Sequence, residues 1–293
     1  MLRSMYAGVS GMKGFQTKLD VIGNNIANVN TVGFKKSRVN FQDLLSQNLS
    51  DSSANPMQVG LGSTTASVDV LHTPGSLMNT GVNSDLSIMG DGFFIVQKPQ
   101  TLEQLNNGET PEAYLTRTGN FIVNSSGQLV TSQGYNVLGV NNLEGEIEDR
   151  TISPIFINPE TYDSFKINRL GEVIGKRGDS GEEEIIANIG MVAPENPAGL
   201  KKVGGSLFEY TETAGGNGSF GEVINNVFEY DPNTIKIAKE FKTELASGQL
   251  EMSNVDLTEE FTEMIVAQRG FQANSRIITT SDEILQEVVN LKR

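Results

Sequence analysis

The sequence predicts an α+β, mainly β chain, with discontinuous N- and C-terminal coiled-coil helices and one antiparallel β domain between them. Three observations carry that prediction. Apolar residues recur every seven positions at both ends, short apolar runs broken by Gly, Asn and Pro fill the middle, and the two ends carry opposite charge. Residues 1–50 hold six basic and two acidic groups, a balance of +4, whereas residues 251–293 hold four basic and eight acidic, a balance of −4.

The N-terminal segment carries Met5, Met12, Leu19 and Ile26 at sevens, and Phe15, Ile22 and Val29 as a second series. Steps between the series alternate three and four, the a/d seam of a coiled coil. Gly8, Gly11 and Gly14 weaken this helix by about 1 kcal/mol each relative to Ala. Asn28, Asn30 and Gly33 suit its end, because Asn and Gly accept left-handed backbone angles.

The C-terminal segment is the stronger helix. Asp256 is placed to cap it, with Glu259 three residues on as in a capping box, and early acids with terminal Lys292 and Arg293 match the helix dipole. Met264, Phe271, Ile278 and Leu285 repeat by sevens. Ile277, Ile284 and Leu291 form a neighbouring row, so the apolar stripe is wider than one partner helix needs.

Between the ends, strands are expected at 92–96, 114–116, 121–123, 129–130, 137–140, 155–157, 165–167, 172–174 and 185–189. Turn signals this frequent favour antiparallel pairing over alternating βα units. The domain reading is then an inner helix at 1–45, an extended connector at 46–75, the β domain at 76–214, a Gly-rich link at 215–244 and the second helix at 245–293.

Composition excludes several functions. The net charge of −14 is wrong for a general nucleic-acid binder. With no Cys and one His, thiolate catalysis, sulfur-type zinc sites and His-rich metal centres are excluded. No apolar run reaches the ~18 residues of a membrane helix. The N-terminus has no cleavable signal pattern, which leans toward the cytoplasm or toward an export route that leaves the leader uncut.

Candidate chemistry is sparse. Gly171-Glu-Val-Ile-Gly-Lys has three residues between its glycines where a phosphate loop needs four, and reads as strand and turn. His72, beside Thr73-Pro74-Gly75, reads as a turn residue. Glu144, Glu146, Glu148 and Asp149 could pair carboxylates for acid–base work, but a solvated strand edge is the simpler reading. Neither a catalytic residue, a cofactor nor a metal is expected. The terminal seams are read as assembly surfaces ahead of the alternative, that the two helices pair within one molecule and cap a domain.

Ordered motifs carry a resemblance. Asp20-Val-Ile-Gly-Asn-Asn-Ile-Ala-Asn-Val-Asn-Thr-Val-Gly-Phe-Lys35 resembles the N-terminal signature of bacterial flagellar rod and hook proteins. Ser253-Asn-Val-Asp-Leu257 and Gln268-Arg-Gly-Phe-Gln-Ala-Asn-Ser-Arg276 resemble their C-terminal signature, while Gly90–Val96, Arg117–Phe121 and Pro197–Leu200 resemble internal elements in the family order. The motif residues concerned are Asn24, Asn25, Asn28, Asn30, Gly33, Phe34, Asn254, Asp256, Arg269, Gly270 and Phe271.

The resemblance implies a helical homopolymer outside the cell, with terminal helices as an inner tube. It also implies export through the flagellar type III apparatus without a cleaved signal, and no membrane insertion. Within the family, the stretches Met1–Lys13 and Met57–Gly62 resemble the short hook proteins of Gram-positive bacteria. The expectation is therefore a hook subunit, with a distal rod subunit as the alternative and a secreted carboxylate glycosidase, built on the acidic cluster of the β domain, as the remote one. The implied partners are other copies, rod proteins, the hook cap and the hook–filament junction proteins. The expected interface is Met5, Met12, Phe15, Leu19, Ile22, Ile26 and Val29 with Met264, Phe271, Ile278 and Leu285.

Overall fold

A computed structural model describes residues 2–45, 47–50, 57–99, 112–141, 151–178, 181–215, 220–224, 227–230, 234–241 and 243–291. They form two compact units. One takes its residues from Met1–Val29, Lys35–Leu71 and Val255–Arg293, and the other from Asn30–Phe34 and His72–Asn254.

The first unit is built on two long helices, α1 (Leu2–Ala27) and one labelled α3 (Leu257–Leu291), in keeping with the heptad spacing at each end. Helix α1 ends where the Asn24 carbonyl accepts from both the Asn28 backbone amide at 3.2 Å and its side-chain amide at 2.9 Å. At the start of α3 the Asp256 carboxylate accepts from the Thr258 amide at 2.8 Å, a true N-cap. The expected capping-box partner Glu259 is engaged elsewhere, its carboxylate held 2.7 Å from Lys36 Nζ.

Residues 46–75, read as an extended connector, contain part of a sheet. Strand β1 (Ser37–Asp43) pairs antiparallel with β4 (Ser63–Val70), from Ser37 opposite Val70 to Asp43 opposite Ser63, with a bulge at Asn40/Phe41. Strands β2 (Gln47–Ser50) and β3 (Met57–Val59) pair between them. The Thr- and Val-bearing run of β4 suits a pleated backbone, and its short alternation of Ala66, Val68 and Val70 with Ser67 and Asp69 is passed over by a reading based on apolar runs.

The second unit is antiparallel throughout its described pairings. Its main sheet runs β13 (Tyr162–Ile167), β14 (Glu172–Arg177), β15 (Glu183–Ile189), β11 (Asn136–Asn141), β7 (Phe93–Gln97), β8 (Ala113–Thr116), β18 (Leu207–Glu209) and β17 (Lys201–Gly204). The short strands β9 (Phe121–Val123), β10 (Leu129–Thr131), β12 (Thr151–Pro154) and β16 (Met191–Val192) attach to its side. The core gathers Leu86, Phe94, Val96, Phe121, Leu129, Val137, Ile189 and Leu245, with the Phe94 and Phe121 rings edge to face at 5.1 Å.

Residues 155–157 were expected as a strand but make no continuous ladder. Ile155 donates to Val137 and accepts from Leu129, while Ile157 donates to Gly127, so the segment is shared among neighbours. Both isoleucines are nonetheless buried. The 215–244 stretch is more than a link. It holds the hairpin β19 (Gly221–Ile224) with β20 (Val227–Tyr230) and the turn α2 (Ala238–Phe241), and it buries Ile235 and Ala238 completely. Residues 245–254 also belong here, pairing as β21 (Glu244–Ser247) with β6 (Leu86–Met89) and as β22 (Gln249–Glu251) with β5 (Leu77–Asn79).

Candidate assembly interface

Helices α1 and α3 lie antiparallel. Gly8 faces Ile278, Phe15 faces Gly270, Lys18 pairs with Glu263 and Asn25 reaches Glu260, so one index rises as the other falls. The glycines that weaken α1 as an isolated helix permit this approach. A Cβ on Gly8 would stand 3.3 Å from Ile278, and one on Gly11 would stand 3.0 Å from Asn274. On α3, a Cβ at Gly270 would stand 2.5 Å from the Phe15 ring. Phe15 in turn leans on Phe41 of β1, ring centroids 6.1 Å apart.

Of the residues assigned to the seam, Ile22 is fully buried. Met5, Met12, Phe15, Leu19, Ile26, Val29, Met264, Ile278 and Leu285 are half-buried, and Phe271 lies exposed. The row on α3 that comes closest to α1 is one the apolar pattern passed over. Glu260, Ala267 and Ser281 are buried and Asn274 half-buried, at sevens and interleaved with Met264, Phe271, Ile278 and Leu285. Their shared heptad offset was the available signal; being small or polar, they did not register as core.

One polar knot fixes the end of the pair. The buried Asn25 amide donates to the Ser37 carbonyl at 2.9 Å and to Glu260 at 3.2 Å, while its oxygen accepts from the Ser37 amide at 3.0 Å. A cleft of about 270 Å³ opens beside it, lined by Lys18, Ile22, Lys36, Glu259 and Glu263 among others. Its ammonium groups Lys18 and Lys36 are already bonded to Glu263 and Glu259, so it offers a ligand little charge.

The remaining motif residues hold backbone in place. Asn24 and Asn30 are exposed, and Asn24 accepts from Asn28. Asn254 donates to Thr73 Oγ1 at 2.8 Å, and Arg269 is exposed. In the β unit Gly33 has φ +66° and its amide donates to the Glu251 carbonyl at 2.8 Å. The buried ring of Phe34 takes Lys202 Nζ at 3.9 Å from its centroid. Burial pushes the Lys202 ammonium below its ordinary pKa.

Sites tied to chemistry by sequence do not gather. His72 packs edge-on against Phe93 and Phe208 at 5.6 and 5.4 Å. The false phosphate loop is strand β14. Glu144, Glu146, Glu148 and Asp149 lie outside the described residues. Among the described residues no cluster of acids and His is placed to hold a metal, and no helix is long and apolar enough to cross a membrane.

One ion pair, buried in the β unit, has no local signal in the sequence. Arg117 and Glu251 meet at 3.3 Å, their side chains 5% and 1% exposed. Arg117 also donates to the Gly90 carbonyl at 2.9 Å and lies over Phe93, while Glu251 accepts the Gly75 amide at 2.9 Å. Desolvation lowers the Arg117 pKa, against the opposing pull of Glu251.

What the helices leave uncovered is as telling as what they bury. Phe261, Ile265, Val266, Ile277, Ile284, Val288 and Leu291 on α3 are exposed, from 43% at Ile277 to 86% at Leu291. Two chain ends closing on each other, with an apolar face left over, define a structural, self-associating class of subunit.

Known proteins agree with that class. Residues 5–35 match the model of the flagella basal body rod protein family, residues 87–175 that of the flagellar hook protein FlgE/F/G D1 domain, and residues 246–291 that of the flagellar basal body rod FlgEFG protein C-terminal region. The flagellar basal-body rod protein FlgG of Bacillus subtilis is 46% identical over 306 aligned positions, covering all of both chains. The flagellar hook protein FlgE of Borreliella burgdorferi is 30% identical over 452 positions, again covering both. The hook protein FlgE of Treponema pallidum is 49% identical over 148 positions, covering 47% of this chain and 30% of its own. The chain belongs to the flagellar rod and hook protein family, whose members are structural components of the basal body and hook.

Proposed function

We propose that this chain is a non-catalytic subunit of the flagellar hook, polymerising through its paired terminal helices into a hollow, bendable tube that passes torque from rod to filament. The observation that carries the reading is the uncovered apolar row Ile277, Ile284 and Leu291. After α1 has taken its place on α3, this row still faces water, at 43%, 48% and 86% exposure. A monomer gains nothing from such a face, and a tube of packed helices buries it.

Two facts support hook over rod. The beginning of the chain and the Met57–Gly62 stretch resemble short hook proteins, and the 49% identity with the Treponema hook protein is high over the stretch it covers. The distal rod is the second reading, favoured by the end-to-end match to the Bacillus rod protein. Deleting the gene and imaging purified basal bodies separates them. A complete rod lacking a hook bears out the proposal; a truncated rod assigns the chain to the rod.

On this reading the subunit leaves through the flagellar type III apparatus and ends outside the cell. Its neighbours are further copies, the rod, the hook cap and the hook–filament junction proteins. Inner-tube contacts are assigned to Met5, Met12, Phe15, Leu19, Ile22, Ile26 and Val29 with Met264, Phe271, Ile278 and Leu285. The two helices keep the tube closed while the β domains shift outside it.

A further inference from the structure

The helix pair is unequal in length. Gly8 stands against Ile278, and counting six residues back to Leu2 and six forward on α3 reaches Ile284. Residues 285–291 therefore run on past Leu2, with Glu283 and Ile284 at the edge of the overlap. This end of α3 shows Ile284, Val288 and Leu291 to water at 48%, 50% and 86%, flanked by exposed Glu283 and Glu287. Those two glutamates are four apart on one helix, where like charges repel. Neither has an ion-pair partner among the described residues.

The outer face of α1 is its complement. Tyr6 and Val9 are 74% and 39% exposed, and the exposed cations Arg3 and Lys13 bracket them. No acid precedes Asp20 on this helix, and neither cation forms an ion pair among the described residues. One patch is thus apolar between two positive charges, and the other apolar beside two negative charges. Within one chain the helices already meet through other faces.

We propose that the projecting end of α3 docks on the Arg3–Lys13 face of α1 in a second copy, Ile284 and Val288 packing on Tyr6 and Val9 while Glu283 and Glu287 pair with Arg3 and Lys13. The inference rests on the polymer reading and adds to it a defined pair of unlike patches. An interface between unlike patches is heterologous, so it gives the growing structure a direction and does not close on itself as a two-fold dimer does. The charge pairs set register and approach more than affinity.

The absence of Cys makes a clean test. Tyr6→Cys and Ile284→Cys full-length chains are mixed, assembled and oxidised. Because each chain has one thiol, a disulfide joining the two variants is between copies. The proposal expects that heterodimer in sedimented polymer and not in dilute soluble chain. In parallel, Arg3→Glu/Lys13→Glu and Glu283→Lys/Glu287→Lys chains should each raise the concentration needed for assembly by about tenfold or more, since like charges then face each other. Mixing the two reversed chains in equal amounts should relieve this by alternation, because each one's α3 end then meets an oppositely charged α1 face on the other, and combining all four reversals in one chain should restore assembly as well. Polymer that forms without the heterodimer, and without rescue by the fourfold reversal, overturns the docking while leaving the polymer reading intact. Failure of the unmodified chain to polymerise overturns both.

Discussion

Replacing Glu251 with Ala should destabilise the β unit severely, because the change strands a buried cation. Arg117 is 5% exposed and its guanidinium has Glu251 at 3.3 Å and the Gly90 carbonyl at 2.9 Å as its partners. Removing one member of a buried ion pair costs about 3–5 kcal/mol. The Gly75 amide also loses its acceptor, contributing to that loss. For a unit near this size each kcal/mol moves Tm by about 2–4 °C, so the transition should fall by about 6–20 °C. An Arg117→Met/Glu251→Met chain removes both charges and keeps apolar volume; it should recover most of the deficit, retaining about 1–3 kcal/mol for the backbone groups left unpaired. Thermal unfolding followed by far-ultraviolet circular dichroism reads all three chains. A single-variant shift below about 2 °C, or a double variant no better than the single, would refute the reasoning that desolvated charge is what makes Glu251 indispensable.

Three further outcomes follow from the same contacts. Asn25→Leu leaves the Ser37 amide and carbonyl and the buried Glu260 without their shared partner, and should cost about 2–4 kcal/mol, read as an earlier loss of helical signal on urea titration. Gly33→Ala puts a Cβ 2.7 Å from the Thr118 amide nitrogen at φ +66°, where no rotation relieves it, so the β unit should melt several degrees lower. Lys202 supplies a pH signature. Its folded pKa is depressed by burial, so between that value and the unfolded value of 10.5 the unfolded chain holds more protons, and stability should rise with pH across this window. Wild type compared with Lys202→Met isolates the effect: the rise should vanish in the variant, and a rise persisting in Lys202→Met assigns it to another group.

The ends of the fold were legible because coiled-coil spacing repeats over several turns, and the Asp256 cap and the Asn28 terminus have local chemistry that reads directly. Much of the β domain was legible for a similar reason: Phe121, Leu129 and Val137 sit in runs bounded by turn residues. Three features were not. Strand β4 carries only a short alternation, Ala66, Val68 and Val70 against Ser67 and Asp69, which a search for apolar runs passes over. The pairing of α1 with α3 uses Ala267, Asn274 and Ser281 beside Gly8 and Gly11, and close approach between backbones selects small residues that resemble weak helix formers in a sequence. The Arg117–Glu251 pair spans 134 positions, and nothing local announces a partner that distant. The wide apolar stripe of α3 was visible from Ile277, Ile284 and Leu291; which side of it α1 would take was not.

The central claim is that the terminal helices hold copies of this chain together. Cryo-electron microscopy of polymer grown from the purified full-length chain tests it most directly. The account predicts a hollow tube in which residues 2–27 and 257–291 make the contacts between copies around the channel, with the β domains outside. A polymer joined through its β domains, with α3 still facing solvent along Ile277, Ile284 and Leu291, would contradict it.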